Sequence, residues 1–478
     1  MIDSDLMELR RTVLPELVEE LGQRFPHATA LAMRREGEHV NSQADGKVLD
    51  VGQGDLHRHI GWYQNVEGVV FTVWSGSGKY EVATHDLSAE GLAAAARGLA
   101  EFPVEDLPYD LPSGPQRKAD FSDIEVIPVA GVALDDKIVS VQEFERRILA
   151  HSREEGDMAV KASYRNIRTQ EIFVGPHLDG AQELSHSNLR AFIHVNDGNN
   201  STMVYLREGA AGFEVMEMDD EKIAAEVANG FRLLTPTEKP QGAVNVILDP
   251  DYVGVVAHES FGHGREGDTI SHRIARARHY DGQEVAAPFV SMVTDPTLSS
   301  HGGYAFDHDG IIGERRLLID KGRQTKYTIT DLHSALTAGL EPTGHGRRQS
   351  PFHPVFSRQS YTGFLGLQPD DEGYMPLDEM MEKADAIIVG TTGGMEDPHG
   401  WTIQCNSLYG LHIRNGKITT DIFAEPRVDD TVTGLLGRIA GMSGAVHVGS
   451  GACGKYHKEF VPVGDGGPYL FLRDVRVA

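Results

Sequence analysis

Near the start of the chain the apolar positions recur with helical spacing. Leu6, Leu9, Val13, Leu14, Leu17, Val18 and Leu21 fall three or four residues apart, giving one apolar face to a helix over residues 1–22 that Gly22 ends. The pattern then shifts. "GVVFTVWSG" (Gly68–Gly76) and "KYEVATHDLS" (Lys79–Ser88) read as strands, and the alanine-rich "SAEGLAAAARGLAEF" (Ser88–Phe102) as a helix opened by a serine cap. "SVQEFERRILAHSREE" (Ser140–Glu155) predicts another helix, and Asp219–Asn229 a further one. Between them, "NLRAFIHVNDGNNSTMVYLREG" (Asn188–Gly209) predicts a hairpin turning at Asp197-Gly198-Asn199.

"LLTPTEKPQG" (Leu233–Gly242) is polar and carries two prolines, which marks a boundary. Beyond it the chain turns glycine-rich, with turns such as "DHDG", "DKG" and "RNGK" between short alternating runs. The fold class expected is α+β in two domains: a mixed helix and sheet domain over 1–238, and one over 239–478 dominated by antiparallel sheet.

Composition narrows the function. The chain has 478 residues, 40% hydrophobic and 24% charged, as a folded protein with more than one core should. Its 44 basic and 71 acidic residues leave a net charge of −27, which repels nucleic acid and anionic membrane. Two cysteines, Cys405 and Cys453, make no disulfide framework and fit a reducing compartment. No basic-then-apolar leader opens the sequence and no apolar run approaches the ~18 residues of a membrane span, so the expected location is cytoplasmic.

The chemistry concentrates in "VVAHESFGHGREGD" (Val255–Asp268), where His258, Glu259 and His263 form H-E-x-x-x-H. On a regular helix a spacing of five sets two side chains ~140° apart, too far around to share one ion. A π-type turn with i→i+5 bonding closes that gap, and Gly262 and Gly264 are expected to ease the distortion. Histidines that cap or pair structurally fit the same spacing, so a third ligand is required. Glu266 and Asp268 are candidates; so is Cys453, in the glycine-dense "VGSGACGKYHKEFVPVGDGGP" with Lys455 two residues on. Cys405, in "WTIQCNSLYGLHI", reads as a small buried apolar residue, and Gly393-Gly394 in "TTGGM" as a tight turn.

"HESFGHGREGD" with "GACGK" and "VPVGDGGP" far downstream resembles the TldD/PmbA family of TldD–TldE peptidases. "YAFDHDG", "EPTGHGRRQS", "GTTGGMEDPHGWTI" and "LYGLHIRNGKIT" agree, and the resemblance spans most of residues 165–478. It implies a cytoplasmic zinc metallopeptidase acting on short or unfolded peptides, including leader-peptide removal. By position it implies His258, His263 and Cys453 as ligands of one zinc ion, with Glu259 as general base. That set marks the catalytic TldD-type subunit of a dimer, paired with a TldE-like subunit or with itself.

The oxyanion of peptide hydrolysis needs a donor, and "PTGHGRR" offers His345, Arg347 and Arg348, with Tyr304 and His308 as further options. His345 and Arg347 are taken as the substrate contacts, while Asp307 and Asp309 are expected to shape the "FDHDG" turn. Peptide binding is expected to use strand addition. The alternative function is a non-catalytic partner or scaffold subunit whose structural metal is closed by Glu266 or Asp268.

Overall fold

Two helices, not one, open the chain in a computed structural model that describes residues 2–42, 48–53, 65–76, 78–112, 115–123, 125–154, 156–455 and 459–478. They are α1 (Ser4–Arg11) and α2 (Val13–Gly22), separated at Thr12 with φ −121° and ψ −80°. Pro15 explains the break. Its ring clashes with the carbonyl four residues back, that of Arg11, so the periodic apolar face continues but the helix cannot.

Eight strands form the first sheet: β1 (His27–Ser42), β2 (Val48–Gln53), β3 (Val66–Ser75), β4 (Gly78–Thr84), β5 (Arg117–Ser122), β6 (Asp157–Val174), β7 (Leu178–Asn196) and β8 (Ser201–Ala210). Their order is β4-β3-β1-β6-β7-β5, with β2 also paired to β1 and β8 to β7. Every pair is antiparallel except β5 with β7. The hairpin turns where the sequence places it: Asp197 Oδ1 accepts from the Asn199 and Asn200 amides, and Gly198 takes φ +86°. Its first strand, β7, reaches ten residues further back than Asn188, to Leu178.

Helix α3 (Ala89–Leu99) starts at the serine cap, Ser88 Oγ accepting from Gly91 N at 3.1 Å. Together α1, α2 and α3 bury Leu14, Leu17, Leu92 and Leu99 against Ala30, Val69 and Phe71 of the sheet. Helix α4 (Leu134–Leu149) begins earlier and ends earlier than its sequence reading. Asp135 and Asp136 sit in its first turn, where acids favour the helix dipole, so a stretch that looks polar is a helix start. Glu155 lies outside the described residues. Helix α5 (Asp220–Arg232) is capped by Asp219 and packs with α4 on β6, β7 and β8.

Beyond residue 242 the strands are shorter and divide among several sheets. Ala243–Leu248 lies within one six-stranded sheet, and His447–Lys455 at the end of another, beside Glu459–Gly467. Gly393–Asp397, Thr402–Asn406 and Arg427–Thr431 make a three-stranded sheet. Most pairs are antiparallel, but Ala386–Val389 runs parallel to Ala243–Leu248, and Tyr361–Phe364 parallel to Glu459–Gly467. Parallel neighbours need a long crossover, supplied here by long stretches of intervening chain that no short turn signal reveals. The molecule thus mixes helix and strand over several sheets. Among the described residues, no helix is long and apolar enough to cross a membrane.

Candidate metal centre

Helix α6 (Pro250–Ala257) carries the histidine motif into the interior. Asp249 Oδ1 caps it at 2.8 Å from Tyr252 N, and Pro250 occupies its first turn, where no amide is needed. Val253, Val256, Ala257 and Phe261 pack with Leu248, Ile388, Phe364 and Leu470, which fixes the helix in the core.

At His258 the α-helix gives way to a π turn, His258–Gly262, and the His263 amide donates to the His258 carbonyl five residues back. The five-residue spacing therefore puts both imidazoles on one side. Side chains hold the widened turn: Trp401 Nε1 donates to Ser260 O at 3.1 Å, and Gln359 Nε2 to His258 O at 3.3 Å. Trp401 itself sits at φ +52°, clasped by Phe261 and Tyr280. The glycines serve a purpose other than the one read from the sequence. Gly262 has an ordinary φ of −62°, but a Cβ there would lie 2.0 Å from Gln359 Oε1, and one on Gly264 would lie 2.7 Å from Trp401 Nε1. They make room for the clamping side chains.

Cys453 arrives on the strand His447–Lys455, its Sγ 3.3 Å from His263 Nε2. The two imidazole centroids are 4.9 Å apart at 84°. One ligand atom each from His258, His263 and Cys453 falls within 4.8 Å of the others. Strand alternation puts Lys455 on the same face as Cys453. Lys455 Nζ lies 2.8 Å from Glu266 Oε2 and 2.6 Å from Asp268 Oδ1, while that Glu266 oxygen is 3.0 Å from His263 Nδ1. Glu266 thus stands behind the ring and orients it, as carboxylates do for metal-binding histidines. Neither Glu266 nor Asp268 joins the group of converging ligand atoms.

These donors fit a metal. Two imidazoles and a thiol are a zinc donor set, and the buried Nδ1 of His258 has no hydrogen-bond partner in the protein. The electrostatics agree. Burial alone would raise the Cys453 thiol, but His263, Arg358 and His258 bring it well below its ordinary value, toward thiolate. Burial opposes the charged form of His263, yet Cys453 and Glu266 raise it well above the usual imidazole range. Glu259 is raised by burial, an effect that His263 and His258 oppose.

His258, Glu259, His263 and Cys453 open on a cavity of about 1060 Å³. The strand Gly393–Asp397 forms one border and, among the described residues, has a free edge, since its sheet places it outermost. Gly393 and Gly394 begin this strand, so the tight turn expected there is instead a strand start with Gly393 at φ +114°. A Cβ on Gly394 would lie 2.7 Å from Glu259 Cγ, so its glycine leaves space for the carboxylate. Two residues on, Glu396 has an unpartnered, buried Oε1 and is pushed up by burial to about 8. Sequence reasoning missed Glu396, and it missed Arg190 and Arg207 on the cavity wall. Single polar residues on strands carry no spacing signal.

The structure does not bring His345 or Arg347 to this cavity. His345 is fully buried, 3.1 Å from Thr294 Oγ1 through Nε2 and 2.9 Å from Thr343 O through Nδ1. Arg347 donates to the carbonyls of Gln359 and Pro462 and lies over the Tyr304 ring. Tyr304 OH donates to Gly344 O, His308 meets Glu171 and Arg348 meets Glu81. Asp307 accepts from the Asp309, Ile311 and Gly346 amides, shaping the turn. Cys405 is buried in the apolar core.

Residues 241–478 match the family model described as PmbA/TldA metallopeptidase C-terminal domain. A relative named "Metalloprotease", from Methanothermobacter thermautotrophicus, is 27% identical over 334 residues, covering 68% of this chain and 70% of that protein. A "Zinc metalloprotease TldD homolog" from Saccharolobus solfataricus is 25% identical over 309 residues, 59% of this chain and 66% of that protein. In fold, the chain is similar to the crystal structure of TldE from Thermococcus kodakarensis, with TM-score 0.74 at 12% identity over 98% of this chain and 100% of that one.

Proposed function

The chain belongs to the PmbA/TldD metallopeptidase family and is a metalloprotease; from that premise we propose that it is zinc-dependent and hydrolyses short or unfolded peptides. One observation carries the reading: the π turn that sets His258 and His263 beside Cys453, with Glu259 next to them on the cavity. His258, His263 and Cys453 would hold the ion. When bound, zinc supplies Lewis acidity, drawing charge from a scissile carbonyl and making water acidic enough to attack near neutral pH.

The protein's own groups do the rest. Glu259 takes a proton from the attacking water at its carboxylate and returns it to the departing amine nitrogen. Its partly apolar surroundings favour the protonated form, which suits a group that must both accept and release a proton. Glu266 fixes the His263 ring, and Lys455 bridges Glu266 and Asp268. An extended peptide would pair with the free edge of Gly393–Asp397, gaining affinity through its backbone. Folded proteins present no such strand, which accounts for a preference for short or unfolded chains.

The scaffold alternative requires a fourth protein ligand. Glu266 and Asp268, each bonded through one oxygen to Lys455, stand apart from the three converging ligand atoms, and Glu266 lies behind His263, which favours the catalytic reading. We also infer a cytoplasmic dimer, with a TldE-like subunit or a second copy. Digesting an unstructured peptide with purified protein, with and without chelator and with zinc restored, tests the main reading. Cleavage that is lost to chelator and regained with zinc is expected; chelator-insensitive cleavage contradicts it.

A further inference from the structure

One wall of the cavity is the β7–β8 hairpin. Its register sets Arg190 opposite Arg207 and Phe192 opposite Tyr205. Directly opposite residues share a face, as do alternate residues along a strand, so these four and Met203 project from one side of the hairpin. All five line the cavity. The face is divided, with Phe192, Met203 and Tyr205 toward the turn and the two arginines at the other end. At that end β8 passes against the strand of Cys453, close enough that a Cβ on Gly209 would lie 2.1 Å from Ser450 Oγ.

Like charges set directly opposite each other destabilise a sheet. The protein offsets this only at Arg207, whose cation Asp251, Asp465 and Asp249 favour against burial. Among the described residues the Arg190 side chain makes no hydrogen bond or ion pair, although its backbone lies in the ladders to β6 and β8. Arg207 has one long ion pair, Nη2 to Asp251 Oδ1 at 3.9 Å, beyond hydrogen-bond reach. Glu259, Glu266, Glu396 and Asp465 line the same cavity, yet neither guanidinium has a carboxylate within hydrogen-bond distance. A guanidinium fork matches a carboxylate with two parallel hydrogen bonds.

We propose that Arg190 and Arg207 form a carboxylate-binding subsite that receives the C-terminal carboxylate of a short peptide lying in the cavity. The proposal rests on the reading of this cavity as the peptide cleft. The aromatic and methionine part of the same face receives apolar side chains of that peptide. The distance between the subsite and the His258–His263–Cys453 centre then limits substrate length, because the bond to be cut must reach the centre while the terminus is held.

The test uses one unstructured peptide in three forms: free acid, C-terminal amide, and amide with aspartate as its last residue. In wild-type protein, kcat/KM for the acid should exceed that for the amide by roughly ten- to a hundredfold, the scale of a charge-assisted pair. The ratio should fall toward one in Arg190→Gln/Arg207→Gln and survive largely in Arg190→Lys/Arg207→Lys. Restored cleavage of the aspartate-ended amide would show that any carboxylate serves; its failure to restore cleavage assigns the subsite to the terminal one. Equal rates for acid and amide in wild-type protein, or a ratio unchanged in the glutamine variant, overturn the proposal. Calorimetric binding of acid and amide to Glu259→Gln protein is independent of turnover. If no form is cut by wild-type protein with zinc, the peptidase reading fails, while equal binding of acid and amide still overturns the subsite.

Discussion

Two stretches of this chain, His258–Arg265 and Gly344–Arg348, share the run Gly-His-Gly-Arg, at residues 262–265 and 344–347. In the second, the polar groups are taken up inside the protein: His345 by Thr294 and Thr343, Arg347 by two carbonyls, Arg348 by Glu81. In the first, the turn is wound wide, one imidazole nitrogen has no protein partner, and both rings converge on a sulfur beside a cavity. The same contrast separates the cysteines. Burial holds the Cys405 thiol well above its ordinary value in an apolar core, whereas the charges around Cys453 bring it well below. Residue type alone does not mark a reactive site; unspent polar capacity facing open space does.

The contrast is sharpened by substitutions on each side. Glu259→Gln should lower kcat by roughly two to four orders of magnitude, the contribution of a general base, with zinc content unchanged in a metal assay. Near-normal turnover at matched zinc would remove Glu259 from the mechanism. His345→Ala should act on stability instead, costing about 2–4 kcal/mol in urea unfolding through a cavity and orphaned hydroxyl partners. A stable His345→Ala protein with a large kcat defect would return His345 to the chemistry. Glu266→Gln should weaken zinc retention or activity by roughly 10- to 100-fold against a competing chelator, since it loosens the His263 ring; unchanged retention would make Glu266 purely structural.

The smallest effect is a pH slope. His345 and His301 are held near 3 and His27 near 4, chiefly by burial, against an ordinary value of 6.5. Their folded-state values are depressed, so protonation favours the unfolded chain. Their stability contribution is complete above about 6.5 and declines as pH falls toward those values. Each adds at most about 1.4 kcal/mol per pH unit. Urea midpoints should drop between pH 7 and pH 5, and a flat profile would contradict the burial of neutral imidazoles.

Much of this was legible beforehand, and the gaps have physical causes. The widened turn followed from helix geometry, because five residues cannot share a face otherwise. Cys453 stands out in its glycine-dense loop as one candidate ligand, but only the family resemblance sets it above Glu266 and Asp268, since it reaches His263 from 190 positions away. The long strands β1 and β6 escaped notice because both bury polar residues such as Arg35, Asn166, Gln170 and Glu171, which erases the alternation that marks a half-exposed strand. Pro15 split a helix whose apolar stripe runs on unbroken. Glu396, Arg190 and Arg207 become meaningful only when tertiary folding sets them around one cavity.

The central claim is that a π turn and a distant strand jointly grip zinc. Metal analysis by plasma mass spectrometry on wild-type, Cys453→Ala and Cys405→Ala proteins, purified without added metal and checked for folding, tests it most directly. About one zinc per chain in wild-type and Cys405→Ala proteins, lost in folded Cys453→Ala, is the expected result. Zinc retained in full by Cys453→Ala, or lacking in wild-type protein that does not take it up when supplied, would contradict the account.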